Sequence, residues 1–94
     1  IPTTIEFEND LSRESTIIDL AALDRPGLLY RVTRVLSEEG LDIQSAQITT
    51  RGEMAADSFY VRTRDGGKLA DPAAMRRIRQ RFRAALDAQG ALAE

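Results

Sequence analysis

Asp24-Arg25-Pro26-Gly27-Leu28-Leu29 stands where an apolar strand pattern gives way to a helical one. Pro26 suits the first turn of a helix, because its missing N–H is one of the amides a helix start leaves unpaired anyway. Gly27 lets another group approach the backbone without meeting a Cβ. The orphan amides of the helix start then face open space, at the positive end of the helix dipole, which suits a carboxylate or another polar group. A strand, a tight turn and a bare helix start make a perch for a small molecule. The competing reading is that Pro-Gly only turns the corner.

Upstream of this junction, Thr16–Leu23 is rich enough in Ile17, Ile18, Leu20 and Leu23 to lie centrally in a sheet. Before it, Thr3–Glu8 alternates with Ile5 and Phe7 on one face and predicts a strand, followed by a polar loop. Downstream, Leu28, Leu29, Val32, Val35 and Leu36 keep helical spacing and predict a buried face on a helix from about Pro26 to Glu39, ended by Gly40. Leu41–Thr50 predicts a third strand, whose inward set shifts from Leu41 and Ile43 to Ala46 and Ile48, as a bulge would allow. Thr50-Arg51-Gly52-Glu53 predicts a hairpin turn into a fourth strand, Met54–Thr63, with Phe59 and Val61 on one side and Tyr60 on the other. Asp65-Gly66-Gly67-Lys68 reads as a mobile loop. Asp71 then caps a second helix with Pro72 at its first position. Met75, Ile78, Phe82, Ala85 and Leu86 form its apolar arc, and the tail after Gly90 is expected to fray. The order ββαββα predicts a single α+β domain, a four-stranded antiparallel sheet with two helices on one face.

Composition narrows function mainly by exclusion. The 94 residues allow one modest core, and the opening Ile1, in place of methionine, suggests a piece of a longer protein. A net charge of −2 argues against a nucleic-acid or membrane-surface partner. With neither cysteine nor histidine, the chain lacks disulfides, thiolate metal sites and the commonest general base. No apolar run approaches the roughly 18 residues of a membrane span, so a cytoplasmic location is the default expectation.

Several clusters invite sharper readings. Arg76, Arg77, Arg79, Arg81 and Arg83 lie away from the apolar arc of the second helix and read as a solvated face or a docking face for a parent domain. Phe59-Tyr60 lacks the glycine-aromatic signature of an RNA-binding sheet, so Phe59 reads as core and Tyr60 as sheet surface or a dimer contact. Asp19, Asp24, Asp42 and Asp57 show no metal-ligand spacing and no nucleophile–base partner, so no catalytic residue, metal or cofactor is expected. Asp24 and Asp42 stand apart from the others. If the end of the second strand adjoins the start of the third, both carboxylates flank the helix start and hold a ligand ammonium while the helix amides take its carboxylate. Asp24 acting only on the helix dipole is the plainer alternative.

Asp24-Arg25-Pro26-Gly27-Leu28-Leu29, Gly40-Leu41-Asp42-Ile43, Ala46-Gln47-Ile48-Thr49-Thr50, Gly52-Glu53 and Asp57-Ser58-Phe59-Tyr60-Val61 together resemble the ACT domain family of small amino-acid-sensing modules. The resemblance implies a ferredoxin-like sandwich, a pairing with another ACT domain (a homodimer or an intramolecular pair) and a small amino acid ligand. The ligand-binding residues it implies are Asp24, Arg25, Pro26, Gly27, Leu28 and Leu29 with Asp42 and Ile43. Many ACT relatives carry Asn where this chain has Asp24 and Asp42. With Ile1-Pro2-Thr3, Phe7-Glu8-Asn9 and Tyr30 added, the pattern resembles the C-terminal ACT domains of the bifunctional PII uridylyltransferase/uridylyl-removing family. That likeness implies glutamine as the favoured ligand, a parent with catalytic domains and a role in nitrogen metabolism. The usual ACT order is βαββαβ, so a leading Thr3–Glu8 strand in the slot of the last one makes this a circular permutation. A stand-alone ACT regulatory protein and a ligand-free structural dimerisation module are the alternatives.

Overall fold

Strand pairing sets the architecture. The computed structural model describes residues 3–92, with side chains described for residues 3–86. Its elements are β1 (Thr4–Glu8), β2 (Thr16–Leu23), α1 (Leu28–Glu38), β3 (Leu41–Arg51), β4 (Met54–Thr63) and α2 (Pro72–Leu92). One four-stranded sheet has the order β1-β2-β4-β3, with every neighbouring pair antiparallel. β2 is therefore central, and β1 takes the outer place beside it, as the permuted order requires. β2 and β3 point the same way with α1 between them, the crossover unit in which a helix carries the chain back along the sheet.

The core lies between the sheet and the helices. Ile18, Leu20 and Ala22 of β2 and Ala55, Phe59 and Val61 of β4 meet Leu28, Val32, Val35 and Leu36 of α1 and Ile78 and Phe82 of α2. Phe59 and Phe82 are fully buried, so truncating either to Ala costs about 3–5 kcal/mol. Asp71 and Pro72 start α2 as expected, with the Ala73 amide donating to Asp71 Oδ1 at 3.0 Å. Gly40 (φ 77°) and Gly52 (φ 58°) supply the left-handed backbone that ends α1 and closes the β3–β4 hairpin.

Four expectations change. Pro26 is not the first helical residue: Gly27 is the N-cap and α1 begins at Leu28, so the proline lies outside the helix. Leu29 is 45% exposed, because the buried stripe runs Leu28, Val32, Val35, Leu36 and leaves Leu29 on its shoulder. The loop after β4 is fastened, with Lys68 Nζ donating to the carbonyls of Asn9 and Ser12 at 2.6 Å each. α2 continues through Gly90 to Leu92, while Ala93 and Glu94, with Ile1 and Pro2, lie outside the described residues.

β3 carries the expected bulge, between Ile43 and Ser45. Beyond it, Ala46 pairs with Phe59 and Ile48 with Asp57, so both face the helix side of the sheet. Yet every β3 residue after Leu41 is exposed. The two helices cover β1, β2 and β4 and stop short of this flank, leaving Ile43 at 39% and Ile48 at 51% exposure.

Candidate ligand corner at the start of α1

The end of β2 is tied to the β3–β4 hairpin by the Asp24 amide, which donates to the Glu53 carbonyl at 2.7 Å. The chain then closes one turn, the Leu28 amide reaching the Arg25 carbonyl at 3.1 Å. Gly27 sits at φ 83°, ψ 1°, and among the described residues no side chain caps the helix. A Cβ on Gly27 would meet nothing within 4 Å, so glycine is required here by the left-handed backbone and the corner itself is open. A hollow of about 360 Å³ on one side is lined by Leu23, Asp24, Arg25, Gly52 and Glu53. On the other side a groove of about 340 Å³ runs from Pro26 and Gly27 between α1 and α2 to Ala85. Of the expected corner, Asp24 and Arg25 line the first hollow and Pro26 and Gly27 the second, Leu29 is exposed on the shoulder of α1, and the Leu28 side chain is buried in the core.

Asp42 and Ile43 are not part of it within one copy of the chain. Leu23 pairs with Met54, whereas Asp42 pairs with Arg62. At about 3.3 Å per strand residue, those partners lie roughly 26 Å apart along β4. The cause is the crossover: α1 returns the chain to the opposite end of the sheet before β3 begins. The expected adjacency of Asp24 and Asp42 is therefore corrected. Asp42 and Ile43 instead line a separate hollow of about 670 Å³ with Tyr30, Thr33 and Ser37 of α1.

One carboxylate is placed as the sequence reading did not foresee. Asp57 occupies the inward row of β4 between Ala55 and Phe59 and is 4% exposed. It pairs across strands with Leu20 and Ile48 and takes the Thr49 amide on Oδ1 at 3.2 Å. Burial, and then the nearby charge of Asp24, push its pKa above the usual aspartate range. The signal was present in the alternation Ala55, Asp57, Phe59, Val61, where one inward position is charged. Asp19, on the opposite face, is held by the Ser58 hydroxyl. Among the described residues no group of three or more Asp, Glu, His or Cys is placed to hold a metal ion.

Four of the five arginines of α2 make contacts within the fold, while Arg76, Arg77 and Arg83 stay on the solvated face that was expected. On one flank Arg77 and Arg81 clasp Glu39 at 2.8 and 2.9 Å, and Arg81 also reaches Glu38. The Glu39 side chain is only 8% exposed, and the Arg77 hydrogen bond leads in holding its pKa below the usual range. On the other flank Arg79 lies over the Phe7 ring at 5.2 Å and donates to the Ile5 carbonyl, and Arg83 donates to the Thr3 carbonyl. Two backbone carbonyls at the start of the outer strand β1 are thereby occupied, while β3 pairs on one side only among the described residues, with β4.

A sheet of this order, with an open glycine corner after β2, one helix on the β2–β3 crossover and a second after β4, coincides with a family match: the ACT domain model covers residues 15–83. The chain belongs to the ACT domain family. It is similar over most of its length to three bifunctional uridylyltransferase/uridylyl-removing enzymes. Identity is 38% with that of Caulobacter vibrioides, over 93% of this chain, and 43% with that of Gluconobacter oxydans, over 92%. With that of Rhodospirillum rubrum it is 38%, again over 92%. The chain spans only 9% of the length of each of these relatives. A crystal structure of an unknown protein from Galdieria sulphuraria superimposes with a TM-score of 0.61 over 78% of this chain and 39% of that one, at 19% identity, and shows the fold alone. This ACT domain is a regulatory one of the kind found in uridylyltransferase/uridylyl-removing enzymes.

Proposed function

We propose that this ACT domain binds a free amino acid, glutamine, at the Gly27 corner and reports its presence to the catalytic domains of a cytoplasmic uridylyltransferase/uridylyl-removing enzyme. The helix start beside an open Gly27 carries this reading: among the described residues no side chain caps it, so its first-turn backbone amides suit a ligand carboxylate. The preference for glutamine rests on the likeness to the uridylyltransferase relatives.

A second ACT domain completes the site in this reading. Arginines occupy two carbonyls at the start of β1, and β3 is bare on its outer edge among the described residues, so pairing through β3 is the economical choice. Two β3 edges paired antiparallel about their midpoints bring the Asp42–Ile43 end of one domain alongside the Thr50–Arg51 end of the other. That is the end which carries the Gly27 turn. Asp42 and Ile43 then belong to the site as contributions from the second domain, either another copy or a tandem neighbour. The ligand acts by favouring one arrangement of the parent over another, with a coupling of about 1–3 kcal/mol.

Titration with the twenty amino acids, followed by NMR, tests this reading. Glutamine at millimolar concentration is expected to shift the Gly27 and Leu29 amides, and unmoved resonances for every amino acid overturn it. The exposed Ile43 and Ile48 also favour a second reading, a pairing module without ligand. Sedimentation separates the two, because only the sensor changes its association constant when amino acid is added.

A further inference from the structure

We propose that Asp57 ties pairing through β3 to proton uptake: its carboxyl is held protonated once a second domain covers the β3 flank, so association tightens as pH falls. The inference concerns the regulation of the pairing put forward above and rests on that reading, but it needs no ligand. Ile5, Leu20, Asp57 and Ile48 stand opposite one another across the four strands, on the side of the sheet that faces the helices. Ile5, Leu20 and Asp57 are buried, whereas Ile48 is half exposed. Asp57 is thus the last covered member of its row, one strand from the place where the helical layer stops.

The surroundings offer a negative charge little support. Asp57 accepts one described hydrogen bond, from the Thr49 amide, and no described ion pair includes it. α1 and α2 bring Leu28, Val32, Val35, Leu36, Ile78 and Phe82 to this side of the sheet, all apolar. Arg51, the basic residue of β3, alternates with Thr50 and lies on the other face. At the end of β2 stands Asp24, a like charge, which adds to burial in raising the pKa of Asp57. In the pair, the second domain brings its Asp42 to the Thr50–Arg51 end of β3, one more negative charge. A domain laid on Ile48 also takes away the water of that flank, which penalises the carboxylate and spares the neutral carboxyl. Pairing therefore raises the pKa further, and each paired domain takes up a proton. Below the free-domain value the carboxyl is neutral in both states, and association does not depend on pH. Between that value and the paired one, the association constant falls by up to about tenfold per pH unit for each Asp57.

The experiment is sedimentation of the chain from about pH 5 to about pH 8, on wild type and on Asp57→Asn, which keeps an oxygen for the Thr49 amide. The wild-type association constant is expected to fall at least tenfold across that range, while Asp57→Asn holds its acid value throughout. A second measurement needs no variant: the Asp57 carboxyl is titrated by carbon NMR at protein concentrations below and above pairing, and its midpoint is expected to be higher in the pair. Parallel pH profiles in wild type and Asp57→Asn, or a midpoint that pairing does not move, overturn the role of Asp57 and leave the pairing reading standing. A chain that stays single at every pH fails that reading, and the inference falls with it.

Discussion

Gly27 and Asp57 show how one residue sets a property of the fold around it. At φ 83° an L side chain is strained by about 1–2 kcal/mol, although nothing stands in its way. Gly27→Ala is expected to lower stability by that amount in a denaturant melt. It should also weaken amino acid binding, because the first turn must distort. Asp57 carries the opposite sign. Its raised pKa means the folded state holds the proton more tightly than the unfolded chain does. Ionisation therefore subtracts stability as pH rises from the ordinary aspartate value through the raised one. Asp57→Asn is expected to stabilise the ligand-free domain by on the order of 1 kcal/mol at neutral pH, and to have little effect in strong acid. An unchanged melt at neutral pH contradicts that. Gly27 was legible in the sequence because Pro-Gly before an apolar period has a local cause. The burial of Asp57 was not, because it depends on Leu20 and Ile48, residues far along the chain that reach it only through strand register.

Between elements, the α1–α2 contact is fastened by Glu39 at the end of α1, held by Arg77 and Arg81. The glutamate is nearly buried while both arginines are partly exposed, so solvent screening discounts the pair. Glu39→Gln is expected to cost about 1–2 kcal/mol, less in high salt. The lowered pKa of Glu39 gives the pH sign: this stabilisation is complete above the ordinary glutamate range and is lost as pH falls through the lowered native value. A thermal melt followed down in pH should show wild type converging on Glu39→Gln, and a constant gap contradicts the assignment. The strands, the hairpin at Gly52 and the cap of α2 were all readable from periodicity and turn chemistry. The arginine run was not: residues two apart on a helix point to different flanks, and which flank meets a partner is settled only by packing. Likewise the spacing of Ile43, Ala46 and Ile48 gave the face of β3 correctly. The shortage of helix to cover that face has no local signature.

At the scale of the whole molecule, the two sheet edges are treated unequally. Arg79 and Arg83 occupy carbonyls along β1, whereas β3 leaves its backbone edge and two isoleucines uncovered. Ile48→Lys is expected to keep the monomer folded, since Ile48 is half exposed, and to reduce self-association at least tenfold in sedimentation velocity. The same substitution should weaken glutamine binding if the second domain completes the site. The ACT fold and its permuted order were legible from the sequence as a whole. The distance between Asp24 and Asp42 was misjudged, because a strand–helix–strand crossover returns to the opposite end of the sheet. That separation is what makes two domains necessary for a site using both.

The most direct test is an NMR titration of the chain with glutamine, reading the amides of Gly27 and Leu29 together with those of Asp42 and Ile43. Saturable shifts are expected at both sets, the second appearing only at concentrations where the domain is paired. Shifts confined to other parts of the fold, or none at millimolar glutamine with the domain paired, contradict this expectation.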